Sequence, residues 1–435
     1  MSSNGGSGSH NGGNGRLGLT LDAIFGELLA AALSLAVVII GGNFLKNKLD
    51  PLHEQKKALR KKRQELSQRL RKLNSRTYDL DDLTSLEAVV AQELVLPDQL
   101  DADFTAIGGL KEIKESLEET VLLPLLRPEL FSSSCLLSPT KGVLLYGPPG
   151  TGKTLLVKAL AKTSRASFIP ISPSTILSKW VGETNQLVHA IFSLAYKIQP
   201  CILFIDEIDS LFRERSAYDH EAYRDMKAEF MSLWDGLLSD PSAAVIVVGA
   251  TNRPWDIDAA ILRRMPRSFL VDYPTTCERK EILQVILSEI VLEPGFDFDR
   301  IAEETPGLTG SDLKEICRVA AYQPIREALQ KEKKLLASWK KQQEQGIGIS
   351  DFANLANECS RTVRPLRTLD VLNAKETVVP TIWKSNSYRE QCEKQCETSL
   401  ARDNQDEIVS TFLNRLVSQM HILDSNNSSD IQQTE

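Results

Sequence analysis

Two patterns of apolar and polar residues divide the chain. Between about residues 99 and 275, short apolar runs alternate with segments of helix-forming residues, which predicts a parallel α/β sheet. The predicted strands are 142–146, 167–171, 201–205, 244–249 and 268–272. From 277 to 329 the strand pattern is absent and the residues favour helices, whereas 330–365 is polar and predicts irregular structure.

A second kind of apolar segment lies near the N-terminus, at residues 23–45. Its 23 residues are long enough to cross the hydrocarbon core of a bilayer as a helix. A secretory signal peptide has its basic residues before the apolar run, but here they follow it, from Lys46 to Lys72. A buried soluble helix rarely runs so long without a polar stripe. We therefore expect a single membrane span. By the positive-inside rule, the chain that follows the span stays in the cytosol and the Gly/Asn-rich tail before it is translocated.

Composition narrows the possible classes of protein. The net charge of −7 and the absence of aromatic residues among the basic ones at 46–72 argue against a nucleic-acid partner. The seven cysteines are an odd number scattered along a long chain, which indicates a reducing compartment and no disulfide scaffold. Residues 52–74 contain neither glycine nor proline and predict a basic helical stalk.

The loop after the first predicted strand has the sequence Gly147-Pro-Pro-Gly-Thr-Gly-Lys-Thr154 and precedes a predicted helix at 155–161. This matches G-x-x-x-x-G-K-[ST] in the strand–loop–helix context that the motif requires. The motif binds phosphate through backbone N–H groups, with the lysine on the β/γ-phosphates and the hydroxyl on Mg²⁺. The sequence thus predicts ATP and Mg²⁺ binding by Gly147, Pro148, Pro149, Gly150, Thr151, Gly152, Lys153 and Thr154.

Two acidic residues end the third predicted strand. Asp206 and Glu207 follow the apolar run 201–205, where a carboxylate would lie beside the bound phosphates. We expect Asp206 to hold Mg²⁺ with Thr154, and Glu207 to polarise the attacking water. The structural alternative is an acidic turn that caps a core strand, but the phosphate loop upstream makes it less favoured.

Candidate catalytic residues also follow the fourth predicted strand. Asn252 is placed to orient the attacking water. Arg263 and Arg264 are either surface charges or arginine fingers that stabilise the γ-phosphate bound by a neighbouring subunit.

Four motifs in this order resemble the AAA ATPase family: 147–154, Ile205-Asp-Glu-Ile-Asp209, Gly249-Ala-Thr-Asn-Arg-Pro254 and Gly310-Ser-Asp-Leu313. The resemblance covers about residues 99–330. Within the family, Lys179-Trp-Val-Gly-Glu183, Asp219-His-Glu221, 227–236 and Arg263-Arg-Met-Pro266 are similar to membrane-anchored translocases of the mitochondrial outer membrane. One departure concerns Arg267, which is separated from Phe269 by Ser268, whereas many family members place a finger arginine directly before that phenylalanine.

The resemblance implies a P-loop α/β domain with a small helical lid and a homo-hexamer with ATP at the subunit interfaces. It also implies adenine contacts by Ile107 and Gly108 on one side and by Gly310 and Ser311 on the other. Trp180 and Val181 would form a pore loop that grips a threaded polypeptide, although a second aromatic usually follows the tryptophan in this family. A buried core position is the structural alternative for Trp180.

The predicted organisation has six segments, which are, in chain order, polar tail 1–22, membrane helix 23–45, basic linker 46–98, large ATPase domain 99–275, lid with insertion 276–375, and disordered polar tail 376–435. The resemblance implies ATP-driven extraction of mislocalised tail-anchored proteins at the mitochondrial outer membrane, with peroxisomes as a second location. The alternatives are a microtubule-severing or complex-disassembling AAA ATPase, and a membrane tether without ATPase activity. A membrane-bound protease is disfavoured because neither His53-Glu54 nor His220-Glu221 continues to a second zinc-binding histidine.

Overall fold

A computed structural model describes residues 83–100, 102–131, 139–173, 176, 184–213, 221–240, 242–343 and 363–378. These residues all belong to one of the two compact units of the chain, Tyr78–Glu435. The predicted membrane helix, the basic stalk, the pore-loop residues Trp180 and Val181, and the C-terminal tail lie outside the described residues. Within the described ranges, no helix combines the length and apolar character needed to cross a membrane.

Five parallel strands form one sheet in the order β2-β3-β4-β1-β5. The strands are β1 Gly142–Tyr146, β2 Ser167–Ile171, β3 Cys201–Ile205, β4 Val245–Thr251 and β5 Arg267–Leu270. β1, β3 and β4 are buried along their whole length, which is why they read as continuous apolar runs. The prediction of a parallel sheet is confirmed, with shifts of one or two residues at the ends of β4 and β5.

Helices cover the sheet in the large domain. In chain order they are α1 Ser85–Val90, α2 Lys111–Leu117, α3 Leu123–Leu126, α4 Lys153–Thr163, α5 Thr184–Lys197, α6 Ile208–Leu211, α7 Glu221–Ser239 and α8 Ala259–Leu262. A π-helical turn, Glu118–Leu122, joins α2 to α3. Three-residue 3₁₀ helices lie at Pro97–Gln99, Phe104–Ala106, Pro128–Leu130 and Pro254–Asp256.

The N-terminal end of the described region docks on the β2 side of the sheet. Thr84 and Glu87 form a capping box that starts α1. The buried Glu87 carboxylate accepts hydrogen bonds from Lys197 at 2.8 Å and from Ser193 at 2.6 Å, both on α5. Burial acts to raise the pKa of Glu87, but these hydrogen bonds outweigh it and hold the pKa below its usual range. Val95 then pairs with Phe168 through two backbone hydrogen bonds of 2.9 and 3.0 Å.

A helical lid with its own apolar core follows the sheet. Its helices are α9 Thr276–Ile286, α10 Phe298–Glu303, α11 Gly310–Gln343 and α12 Thr368–Thr377. The prediction of irregular structure from residue 330 is wrong as far as Gln343, because α11 continues through this polar stretch. Lid and large domain meet at the nucleotide loop, where the start of α11 contacts Gly150.

One arginine joins the two parts of the lid that flank residues 344–362. Arg364 donates two hydrogen bonds to Glu327 on α11, at 2.8 and 2.7 Å, and two to Asp370 on α12, at 2.6 and 2.9 Å. These bonds lower the pKa of Glu327 to about 2. Leu366 adds backbone bonds of 3.0 Å to Val291 and Glu293. Residues 364–370 are thereby fixed against α11 and against the segment between α9 and α10.

Candidate nucleotide-binding site

The phosphate loop follows β1 and leads directly into α4, as predicted. Gly147, Gly150 and Gly152 have φ of 143°, 82° and 98°, a region that L side chains rarely adopt. A Cβ at Gly147 would overlap the carbonyl oxygen of Val271, and one at Gly150 would lie 2.9 Å from Thr309 Oγ1. Only glycine therefore allows this curled backbone, whose N–H groups can turn toward an anion.

Lys153 lies almost wholly inside the loop, with 7% of its surface exposed. Its Nζ donates to the carbonyl oxygens of Gly147 at 2.8 Å and Pro148 at 2.6 Å. Burial lowers the pKa of Lys153 to about 8, although the negative charge of Asp206 acts in the opposite direction. A phosphate group would supply the counter-charge that two carbonyl groups do not, so the lysine is well placed to bind one.

The predicted metal ligands lie together at the carboxyl edge of the sheet. Thr154 Oγ1 donates to Asp206 Oδ2 at 3.0 Å, which links the start of α4 to the end of β3. A hydroxyl oxygen and a carboxylate oxygen are hard ligands of the kind that Mg²⁺ takes beside nucleotide phosphates. The two residues therefore fit the metal that the sequence motif implies.

Glu207 has an unusual backbone conformation, with φ of 50° and ψ of 51°. A non-glycine residue in the left-handed region costs free energy, and such residues cluster at functional sites. Its side chain is exposed, whereas Ile205 before it and Ile208 after it are fully buried. The backbone thus turns the Glu207 carboxylate outward from a strand that is otherwise in the core.

Asn252 lies at the same edge of the sheet, because β4 pairs with β3 on one side and with β1 on the other. It is half-buried and directly follows Thr251, the last residue of β4. Thr251 Oγ1 donates to Asp209 Oδ1 at 2.6 Å and accepts from the Arg253 backbone at 2.8 Å. Sequence reasoning missed this support: Asp209, three residues after the metal ligand, fixes the end of the neighbouring strand.

The two predicted finger arginines differ in their surroundings. Arg264 donates to both carboxylate oxygens of Asp235 on α7, at 2.7 and 2.6 Å, and to the Ala260 carbonyl oxygen at 2.7 Å. Arg263 is exposed at the end of α8, and Arg267 is exposed at the start of β5. All three Arg264 nitrogens are thus bound within the subunit, and reaching a neighbouring subunit would require breaking the pair with Asp235.

The lid reaches the phosphate loop through the start of α11. The Ser311 N–H donates to the Gly150 carbonyl oxygen at 3.2 Å. Thr309 and Asp312 cap the helix reciprocally, with Thr309 Oγ1 donating to Asp312 Oδ2 at 2.7 Å. The sequence carries this signal as Thr-x-x-Asp before an apolar run, so it was available to prediction. Gly310 and Ser311 therefore lie against the loop, at the position implied for a nucleotide contact.

The other two implied adenine contacts lie where the large domain meets α9. Ile107 is buried in the core that surrounds α4. A Cβ at Gly108 would overlap the backbone of Ile282 on α9. The described residues thus bring the phosphate loop together with Asp206 and Ser311, and they place Glu207 and Asn252 at the same edge of the sheet. Ile107 and Gly108 lie beside α9, and the pore-loop residues lie outside the described residues.

Comparison with known proteins agrees with this geometry. The family model described as "ATPase family associated with various cellular activities (AAA)" matches residues 143–273, and the AAA+ lid domain model matches 295–335. The chain is similar to the outer mitochondrial transmembrane helix translocase of Danio rerio, with 43% identity over 81% of this chain and 90% of that protein. The human protein of the same name is 44% identical over 71% of this chain and 84% of its own length.

Two further proteins extend the comparison. The mitochondrial sorting homolog of Caenorhabditis elegans is 42% identical over 68% of this chain and 85% of that protein. The crystal structure of the FIGL-1 AAA domain superposes with a TM-score of 0.57 at 32% identity, covering 72% of this chain and 97% of that one. With the phosphate loop, its acidic partners and the lid all in place, the chain is an ATP hydrolase that belongs to the AAA family.

Proposed function

We propose that this protein is a membrane-anchored translocase that uses ATP hydrolysis to extract mislocalised tail-anchored proteins from the outer mitochondrial membrane. The observation that carries the proposal is its similarity to proteins named outer mitochondrial transmembrane helix translocase over 84–90% of their length. The nucleotide site supports it, since the phosphate loop, Asp206, Glu207 and Asn252 lie at one edge of the sheet. The relatives' names support a mitochondrial location and give no support to a peroxisomal one.

The residues at the sheet edge divide the work of hydrolysis. The loop amides and Lys153 bind the phosphates, and Thr154 with Asp206 would hold Mg²⁺, which supplies neutralising charge to the phosphate oxygens. The Glu207 carboxylate accepts a proton from the attacking water, and Asn252 orients that water. The outward turn of Glu207 and the Asp209-fixed end of β4 support these two roles.

Force on a substrate requires several subunits acting in turn. In the proposed homo-hexamer, Arg263, supported by the fixed Arg264, reaches the γ-phosphate held by the neighbouring subunit. Trp180 and Val181 line the central pore and grip the threaded chain by apolar contact. Their neighbours in sequence, Lys179 and Gly182, suit an exposed loop better than a core position.

The apolar segment 23–45 explains why the substrates would be membrane proteins. Anchoring the motor in the same bilayer raises the effective concentration of anchored substrates around it. The basic residues that follow the segment suit the cytosolic side and contact with anionic lipid. The segment itself lies outside the described residues, so its role rests on length and flanking charge.

The test is reconstitution of the full chain in proteoliposomes that contain a model tail-anchored protein. We expect the wild type to hydrolyse ATP and release the substrate, and Glu207→Gln to bind ATP but do neither. ATP hydrolysis without release by the wild type would refute the substrate assignment. Severing of microtubules by the wild type, when they are added in place of the proteoliposomes, would favour the alternative activity.

A further inference from the structure

The lid holds a short segment of the large domain by two carboxylates. This segment, residues 107–111, is called the strap, and it leads from the implied adenine contacts Ile107 and Gly108 into α2. Leu110 N–H donates to Glu278 Oε1 at 2.8 Å, and Gly109 N–H donates to Glu281 Oε2 at 3.0 Å. The acceptors are one turn apart on α9, so the strap lies along one face of that helix.

A charged side chain strengthens the second contact. Lys111 Nζ donates to Glu281 Oε1 at 2.7 Å, so one carboxylate binds both a backbone amide and an ammonium group. Glu278 is shared in the same way, because its Oε2 accepts the Thr275 N–H at 2.9 Å at the start of α9. The hinge into the lid and the strap are therefore fixed by the same carboxylate.

The backbone of the strap is shaped for these contacts. Gly109 has φ of 72° and Leu110 has φ of 58°, and the latter is an unfavourable conformation for a leucine. Two left-handed residues in succession turn both N–H groups toward α9. Such a conformation persists only where surrounding interactions hold it, and the two glutamates provide them.

The other end of the strap is anchored in the large domain. The Ile107 side chain packs in the core around α4, and its carbonyl oxygen accepts a hydrogen bond of 2.5 Å from Lys114 Nζ. Gly108 lies between this anchor and the carboxylates, pressed against the backbone of Ile282. A shift of α9 therefore acts first on Gly108 and its neighbours, while Ile107 stays with the sheet.

We infer that Glu278 and Glu281 are positioning residues that hold the adenine end of the nucleotide site in place through their bonds to the strap. The inference rests on the proposed role of Ile107 and Gly108 in contacting the base. The lid touches the phosphate end separately, through Ser311 and Gly150. Loss of the carboxylates is thus expected to weaken binding of the base while leaving the phosphate contacts in place.

The test compares ADP with pyrophosphate, which occupies the phosphate loop but has no base. We expect Glu281→Ala in the full-length protein to raise the Kd for ADP about three- to tenfold, the factor by which losing one hydrogen bond of ordinary net strength changes an equilibrium. The Kd for pyrophosphate should stay at the wild-type value. Glu281→Gln keeps an acceptor for Gly109 and should fall between wild type and alanine. In ATP hydrolysis the effect should appear in KM more than in kcat.

The matched control is Lys280→Gln on the same helix. Lys280 pairs with Asp299 on α10 at 2.6 Å and is half-buried, so its loss removes an ion pair that does not touch the strap. Equal weakening of ADP and pyrophosphate by Glu281→Ala, or an equal effect of the control on ADP, would overturn the inference. Absence of ATP hydrolysis in the wild type would instead count against the proposed function, because ADP binding is measured independently.

Discussion

Replacing Lys153 by methionine is expected to stabilise the nucleotide-free protein near neutral pH while abolishing ATP hydrolysis. The ammonium group is buried in the phosphate loop, where its partners are the carbonyl oxygens of Gly147 and Pro148. Burial without a bound phosphate lowers the pKa of Lys153 to about 8. Methionine fills a similar volume without a charge. The variant therefore removes the cost of burying an ammonium group in the nucleotide-free protein, and it also removes the contact with a bound phosphate.

The magnitude follows from the pKa. The difference between the ordinary value of 10.5 and about 8 corresponds to about 3 kcal/mol of unfavourable free energy in the folded, charged form. Methionine leaves two carbonyl groups without their donor, which costs about 1–2 kcal/mol. The net gain for Lys153→Met at pH 7 is therefore about 1–2 kcal/mol, or a few degrees in Tm.

The dependence on pH has a defined sign. The pKa of Lys153 in the folded state lies below that in the unfolded state, so between about 8 and 10.5 the unfolded chain holds a proton that the folded chain lacks. Wild-type stability gains from this group as pH rises through that range. The advantage of the methionine variant is thus full below pH 8 and disappears toward pH 10.5.

Urea unfolding of both proteins without nucleotide, at several pH values between 7 and 10, checks this reasoning. Lys158→Met is the control, because Lys158 lies exposed on the same helix. A Lys153→Met protein that is less stable than wild type at pH 7, with a difference that does not depend on pH, would refute the argument.

Three further predictions concern catalysis, the fingers and the lid. Glu207→Gln should lower kcat by about 10²-fold or more, as loss of a general base does, and keep the nucleotide Kd within about threefold, measured by equilibrium binding. Arg263→Ala should lower ATP turnover without changing Tm, whereas Arg264→Ala should lower both because it leaves Asp235 without its partner. Mixing Arg263→Ala subunits with Glu207→Gln subunits should restore turnover, because each supplies what the other lacks at a shared interface. Failure of the mixture to hydrolyse ATP would exclude a finger that acts between subunits. Arg364→Gln should cost about 2 kcal/mol at pH 7, allowing for partial exposure, because Arg364 is the group that lowers the pKa of Glu327. Followed by acid unfolding, the variant should lose less stability than wild type between pH 4.5 and about 2, where Glu327 becomes protonated.

Local signals explain what could be predicted. Some features have a conformation that is set mainly by their neighbours in the chain, so they can be predicted from sequence. These are the glycines of the phosphate loop, the apolar runs of β1, β3 and β4, and the acidic residues after β3. The wrong prediction at 330–343 gave polarity more weight than helix propensity. That stretch has no glycine or proline and is rich in lysine, leucine and glutamine, all good helix formers.

Long-range contacts explain what could not be predicted. Nothing in sequence indicates that Glu281 would bind the amide of Gly109, 172 positions away, or that both carboxylate oxygens of Asp235 would accept hydrogen bonds from Arg264. The left-handed turn at Glu207 is equally hidden, because glutamate has no preference for it. Such contacts arise only after the sheet has brought distant segments together.

The docking of α1 and Val95 has a mechanical consequence. In the proposed extraction, a motor that pulls on a substrate in its own membrane transmits an equal and opposite load through its anchor, and that load enters the described region at residue 83. Within the described residues, the Glu87–Lys197 pair and the hydrogen bonds of Val95 to Phe168 are the first long-range contacts to bear that load. They hold the chain at β2, the edge strand, three positions from β1 in the sheet. The recoil of each stroke is thus absorbed away from the phosphate loop, and the site that generates the force is shielded from it.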